Sequence, residues 1–165
     1  MTVPIRSLCR DEASTIRAGG QGDNWHTTWA QDDRQYTGLC DGKGWSNLPG
    51  YTGEDDNSRI YAIQGDPPTF SFEPLPGYPR LINEWGTPRC SRYYGFGILA
   101  RGRDLYHFLS TPNRPFDQPS PRFMGVKLIH SPDLGRTWHN QDGGPVGWEA
   151  WEARSRANML FWEEP

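Results

Sequence analysis

The chain has 165 residues, enough for one domain with a substantial core, and carries 19 Gly, 15 Pro and 8 Trp with 13% aromatic residues. That aromatic content excludes a disordered chain, while the Gly and Pro content points to short strands and many turns. The net charge of −3, with both signs interspersed, leaves no basic face for nucleic acid.

Residues 1–20 read as a lead-in. Their opening, MTVPIRSLCRDEAST, lacks the apolar core of a secretory signal, and no apolar run in the chain is long enough to span a bilayer. As written, the sequence is expected to be cytoplasmic and to have no membrane partner. WHTTWA (25–30) and RQYTGLC (34–40) then read as strands joined by the polar turn Gln31-Asp32-Asp33. A loop rich in Gly, Asp and Asn leads to RIYAI (59–63) and TFSFEPL (69–75). A second segment repeats this plan. YYGFGILA (93–100) and DLYHFLS (104–110) flank Arg101-Gly102-Arg103, and a Pro-rich loop over 112–122 precedes MGVKLIHS (124–131) and SPDLGRTW (131–138).

The repeat unit is therefore three or four antiparallel strands, recurring at a loose spacing of about 45–70 residues. Radial repetition of such sheets is the β-propeller plan. The expected fold class is all-β, a partial β-propeller of about two four-stranded antiparallel blades and the start of a third. Blade one falls at about 21–80, blade two at about 90–142, and a third begins at about 155–165 in NMLFWEEP. The expected partners are the remaining blades in a longer chain, or further copies of this one. A small β-sandwich is the alternative, and one short helix over 149–161 is also compatible with the pattern.

Within SPDLGRTW each residue has a physical reason. Ser131 and Asp133 can bond the turn's own amides, and Gly135 supplies a positive φ. Thr137 resumes the strand, and Trp138 offers an apolar face for packing between sheets. The stretch resembles the Asp box of sialidases and related propellers, Ser-x-Asp-x-Gly-x-Thr-Trp, at all five specified positions. The resemblance implies a turn between the third and fourth strands of a blade, in a ring of five blades if complete. It makes Asp133 structural rather than catalytic.

The candidate chemistry lies in GDNWHTTWAQDDRQYTGLCDG (22–42). With Asp32 and Asp33 in the turn, position 23 faces 42 and position 24 faces 41, so Asp23 and Asp41 meet at the end away from the turn. Cross-strand neighbours there have Cβ atoms about 5–8 Å apart. Paired carboxylates are the minimal equipment for glycoside hydrolysis: one protonates the leaving oxygen while the other attacks the sugar or activates water. Equally, Asp23 and Asp41 can be ordinary turn residues beside Asn and Gly, and a register shift of one residue would part them. The sequence D-N-W-H-x-T-W-A, followed by C-D-G-x-G-W and N-S-R-I-Y, resembles a family of propeller glycoside hydrolases that contains endo-D-arabinanases and was long a domain of unknown function. That resemblance covers about residue 20 onward and implies catalytic roles for Asp23 and Asp41.

Trp25, Trp29 and Trp45 can stack on sugar rings or fill the core, and His26 follows the first tryptophan. Asn57 and Arg59 enter a strand, His107 alternates with apolar neighbours, and Asn113 ends that strand. Together Trp25, His26, Trp45, Asn57, Arg59, His107 and Asn113 form the expected substrate-binding set. Glu73, Glu84, Glu163 and Glu164 are spare carboxylates. The histidines lack metal-binding spacing, and three cysteines, Cys9, Cys40 and Cys90, without C-x-x-C spacing argue against a zinc site or a disulfide framework. No cofactor or metal is expected. The function expected is hydrolysis of an oligo- or polysaccharide; a non-catalytic propeller that binds glycan or protein is the alternative. Lyase action on a uronic-acid polymer is a third reading.

Overall fold

The computed structural model describes residues 4–49, 51–82, 93–112, 123–146 and 160–161. The described residues are all-β apart from a 3-10 turn at Glu12–Ser14, which the Asp11 side chain caps by accepting from the Ala13 amide. The first sheet contains β1 (Gln21–Asp23), β2 (Thr27–Trp29), β3 (Gln35–Gly44), β4 (Asp56–Gln64), β5 (Ser71–Pro74) and β6 (Leu81–Ile82). The second contains β7 (Tyr94–Arg101), β8 (Asp104–Pro112), β9 (Phe123–Ser131), β10 (His139–Asn140) and β11 (Leu160–Phe161).

Among the described residues each sheet is antiparallel, four strand positions deep and open at both edges. The first runs β1-β3-β4-β5, with β2 continuing the β1 edge and β6 the β5 edge. The second runs β10-β9-β8-β7, with β11 also pairing β9. The described part of the expected third unit, Leu160–Phe161, thus pairs with Val126 and Gly125. The rest of that unit, the Pro-rich loop and most of the stretch open to a helical reading lie outside the described residues.

The strands form where apolar and polar residues alternate, and they end where the turn chemistry changes. Ala30–Arg34 closes the first hairpin, with Asp33 at φ 62° and its carboxylate accepting from Trp29 Nε1 at 3.1 Å. Gly102, at φ 63°, closes the second. The two hairpins are tied together where the Ala100 amide donates to Thr28 Oγ1 at 2.9 Å.

Between the sheets lies one core, built from Tyr36, Ile60 and Ala62 of the first and Ile98, Leu105, Leu109 and Ile129 of the second. β7 passes so close over the first sheet that a Cβ added at Gly95 would lie 2.8 Å from the Leu39 carbonyl oxygen. The glycine in YYGFG is therefore a contact requirement.

SPDLGRTW joins β9 to β10, the third and fourth positions of the second sheet counted from β7. The Gly135 amide donates to Ser131 Oγ at 2.7 Å, and the Thr137 amide and hydroxyl each donate to the Asp133 carboxylate at 2.8 Å. Burial alone would raise the Asp133 pKa, but these donors and Ser131 outweigh it and hold the carboxyl below its usual range. Gly135 has φ 87°, and Leu134, unforeseen in the sequence, has φ 60°. Trp138 is buried against the core and donates from Nε1 to the Gly135 carbonyl at 3.2 Å.

Candidate functional site

The register of the first hairpin decides how the two aspartates meet. β2 pairs with β3 one residue away from the expected register, as Thr27↔Thr37, Thr28↔Tyr36 and Trp29↔Gln35. Beyond β2 the pairing becomes Asp23↔Cys40 and then Gln21↔Gly44, so a β-bulge on β3 absorbs the extra residues. Asp41 lies in that bulge at φ 46°, and Asn24, next to Asp23 on the facing segment, takes φ 49°. At Gly42 any Cβ would overlap the Gln21 carbonyl oxygen. The Asp-Gly pair read as a loop signal is thus a bulge inside a ten-residue strand. In a regular strand Cys40 and Asp41 would point to opposite faces; the left-handed residue breaks that alternation, and both line the same cleft.

That cleft has a volume of about 580 Å³ and is lined by residues of both sheets. Its first wall is Asp23, Asn24, Cys40 and Asp41; its second is Tyr94, Phe96, Phe108, Ser110 and Val126. The volume suits a small ligand or a few sugar units. Cys40 is 3% exposed, and its thiol is pushed up to about 12, first by burial and then by the charge and hydrogen bonding of Asp23, with a smaller contribution from Asp41. The thiol is therefore protonated and lies close to both carboxylates. Phe96 and Phe108 are 42% and 38% exposed, unusual for neighbouring phenylalanines on one sheet. Ser110 is 5% exposed, and its Oγ has no hydrogen-bond partner. A buried hydroxyl in that state costs about 1–3 kcal/mol.

The other expected binding residues lie elsewhere. Trp25 and Trp45 have ring centroids 4.7 Å apart, and Trp45 stacks on Phe72 at 4.2 Å. They line a separate groove of about 530 Å³ with Ile16 and Arg17 from the lead-in. Trp29 sits at the turn end of the hairpin, away from the aspartates. His26 is exposed, with Nδ1 3.0 Å from the Asn24 carbonyl oxygen. Asn57 is fully buried on β4, level with Asp41 between the pairs Cys40↔Ser58 and Gly42↔Asp56, and neither side-chain amide atom has a partner. Arg59 pairs with Asp56 at 3.2 Å and lies 5.6 Å from the Tyr61 ring centroid. It lines a small pocket with Tyr78 and Arg80, away from the cleft. Glu73 forms an ion pair with Arg34. Asn113, Glu84, Glu163 and Glu164 lie outside the described residues.

His107 is fully buried and links the two sheets. Its Nδ1 lies 2.9 Å from the Tyr78 hydroxyl, which lies 2.6 Å from Ser58 Oγ. Burial drives its pKa down to about 3; the Phe96 backbone carbonyl opposes this and His26 adds slightly to it. His107 is thus neutral near pH 7 and hydrogen-bonded to Tyr78 through Nδ1. The chain Ser58–Tyr78–His107 is a structural link rather than a proton donor to the cleft.

Sequence reasoning missed the second wall. Its one signal was aromatic residues at alternate positions, Tyr94 with Phe96 on β7, matched by Phe108 with Ser110 on β8; that they line one cleft with Asp23 is a tertiary fact. Among the described residues, no group of three or more His, Cys, Asp or Glu side chains is placed to hold a metal ion, and no helix is long and apolar enough to cross a membrane. No protein-family model matches the chain, and no curated protein matches it.

Proposed function

We propose that the two sheets are consecutive blades of a β-propeller in a carbohydrate-active protein, and that the cleft lined by Asp23 and Asp41 hydrolyses a glycosidic bond. The observation that carries this reading is the convergence of Asp23 and Asp41, through the β3 bulge, on one cleft that Tyr94, Phe96 and Phe108 of the second sheet also line. The depth of each sheet and the position of the SPDLGRTW turn support the blade assignment. The resemblance of the DNWH and CDG segments to a propeller glycoside hydrolase family supports the chemistry.

In this reading one of Asp23 and Asp41 protonates the leaving oxygen while the other attacks the anomeric carbon or activates a water. Asp23→Asn and Asp41→Asn should each lower the release of reducing sugar from a polysaccharide by about 10²–10⁴-fold, leaving the melting temperature nearly unchanged. Wild-type rates in both variants would refute the assignment. Saturable glycan binding with no reducing sugar released by the wild-type chain would replace hydrolysis with binding.

A further inference from the structure

Resting on the proposed hydrolase reading, we infer that Cys40 is a positioning residue for Asp23, its thiol donating a hydrogen bond to the carboxylate from the buried floor of the cleft. The register carries the inference. Asp23 and Cys40 are direct partners across the β1–β3 ladder, and such partners share a face of the sheet with Cβ atoms about 4.5–5.5 Å apart. Close backbone contacts pin the ladder on both sides of the pair. A Cβ at Gly22 would lie 3.1 Å from the Cys40 carbonyl oxygen, and one at Gly42 would overlap the Gln21 carbonyl. Burial then separates the two side chains. Cys40 is 3% exposed while Asp23 is exposed, so the thiol lies beneath the carboxylate.

The chemistry of the thiol fixes the direction of the bond. Burial first, then the charge and hydrogen bond of Asp23, push the Cys40 thiol up to about 12; the Asn24 side chain opposes this and Asp41 adds to it. A thiol in that state keeps its proton at neutral pH, so it acts there as a donor and not as a nucleophile. Cys40 also pairs with Ser58 across β4, but the Ser58 hydroxyl is held 2.6 Å from that of Tyr78. The Asp23 carboxylate is the charged acceptor directly opposite, and bonds to charged acceptors are the stronger kind. Asn24, the next residue in the chain and part of the cleft lining, bonds the same thiol, so amide, thiol and carboxylate form one linked set. A donor fixed beneath a carboxylate limits its rotation and favours its charged form. That is the form in which the nucleophile or general base of glycoside hydrolysis acts.

The test reads the S–H stretching band by infrared spectroscopy on the 165-residue chain in a Cys9→Ser, Cys90→Ser background, where Cys40 is the remaining thiol. The band should lie below that of a free thiol and move to higher wavenumber in Asp23→Ala. Turnover is followed as reducing sugar released from arabinan, xylan or β-glucan. Cys40→Ala should lower kcat about tenfold, the scale of one hydrogen bond to a charged group, with KM within about twofold. Cys40→Ser keeps a donor and should recover most of the loss. Both variants remove the sulfur's volume alike, so the difference between them reports the donor rather than packing. An S–H band that Asp23→Ala does not move, a wild-type kcat in Cys40→Ala, or a loss that Cys40→Ser fails to recover overturns the positioning role. Asp23-dependent turnover with an unmoved band sinks this role and spares the hydrolase reading. A moved band in a chain that releases no reducing sugar keeps the thiol–carboxylate bond and removes the hydrolase reading.

Discussion

At the scale of single residues, buried polar groups report how tightly the sheets are joined. His107 shows it most directly, because both nitrogens are enclosed and its Nδ1 is hydrogen-bonded to Tyr78. Its folded pKa, about 3, lies below the unfolded value of about 6.5. Between those values the unfolded chain binds the proton and the folded chain does not. The contribution of a neutral His107 is thus fully present above about pH 6.5 and is lost progressively as pH falls toward the folded value. His107→Gln should flatten this part of the stability profile, measured by urea unfolding from pH 7 to pH 4. At pH 7 it should cost about 1–3 kcal/mol through the disturbed Tyr78 contact. An unchanged slope in the variant would show that other groups carry the acid sensitivity. Residue types made the SPDLGRTW network legible in advance: Ser131, Asp133, Gly135 and Thr137 bond within a few positions of each other. They did not foretell a buried role for His107, since nothing near it in sequence names Tyr78 or Ser58 as partners.

At the scale of elements, the β3 bulge is the decisive feature. Strand positions were legible from alternation and turn residues, and β3, β4, β7, β8 and β9 all fall on segments read as strands. Register was not legible. A left-handed aspartate at position 33 or 41 has no signature in residue type, because aspartate also suits ordinary turns. The expected opposition of Asp23 and Asp41 therefore differs in detail from the structure, where Asp23 opposes Cys40 and Asp41 is re-aimed by the bulge. Gly42 makes this possible by admitting the Gln21 carbonyl at close range. Gly42→Ala should destabilise the β1–β3 pairing by about 1–3 kcal/mol, as overpacking does. It should also uncover Cys40, which is 3% exposed in the native chain. In a Cys9→Ser, Cys90→Ser background, a thiol reagent at pH 8 should label Cys40 slowly, and Gly42→Ala should accelerate labelling at least tenfold. Equal labelling rates would show that the bulge does not control access to the cleft.

At the scale of the whole molecule, the two sheets share one core, so neither is expected to melt independently. Leu105 and Leu109 from β8 lie against Tyr36 and Ile60 from the first sheet in a single buried cluster. Leu105→Ala, at a fully buried position, should cost about 2–5 kcal/mol. It should shift the near-ultraviolet dichroism and tryptophan fluorescence transitions together, although seven of the eight tryptophans lie outside β7–β9 and the turn after them. Separate transitions would mean that the sheets fold as independent units. The sequence by itself determined the all-β class, the position of the main strands and the chemistry of the SPDLGRTW turn, because these depend on periodicity and on side chains a few residues apart. Only the tertiary structure decided the cleft. Its lining residues come from segments separated by more than fifty residues; the bulge depends on the register of β1 against β3, and the approach of β7 through Gly95 exists only once the two sheets pack against each other.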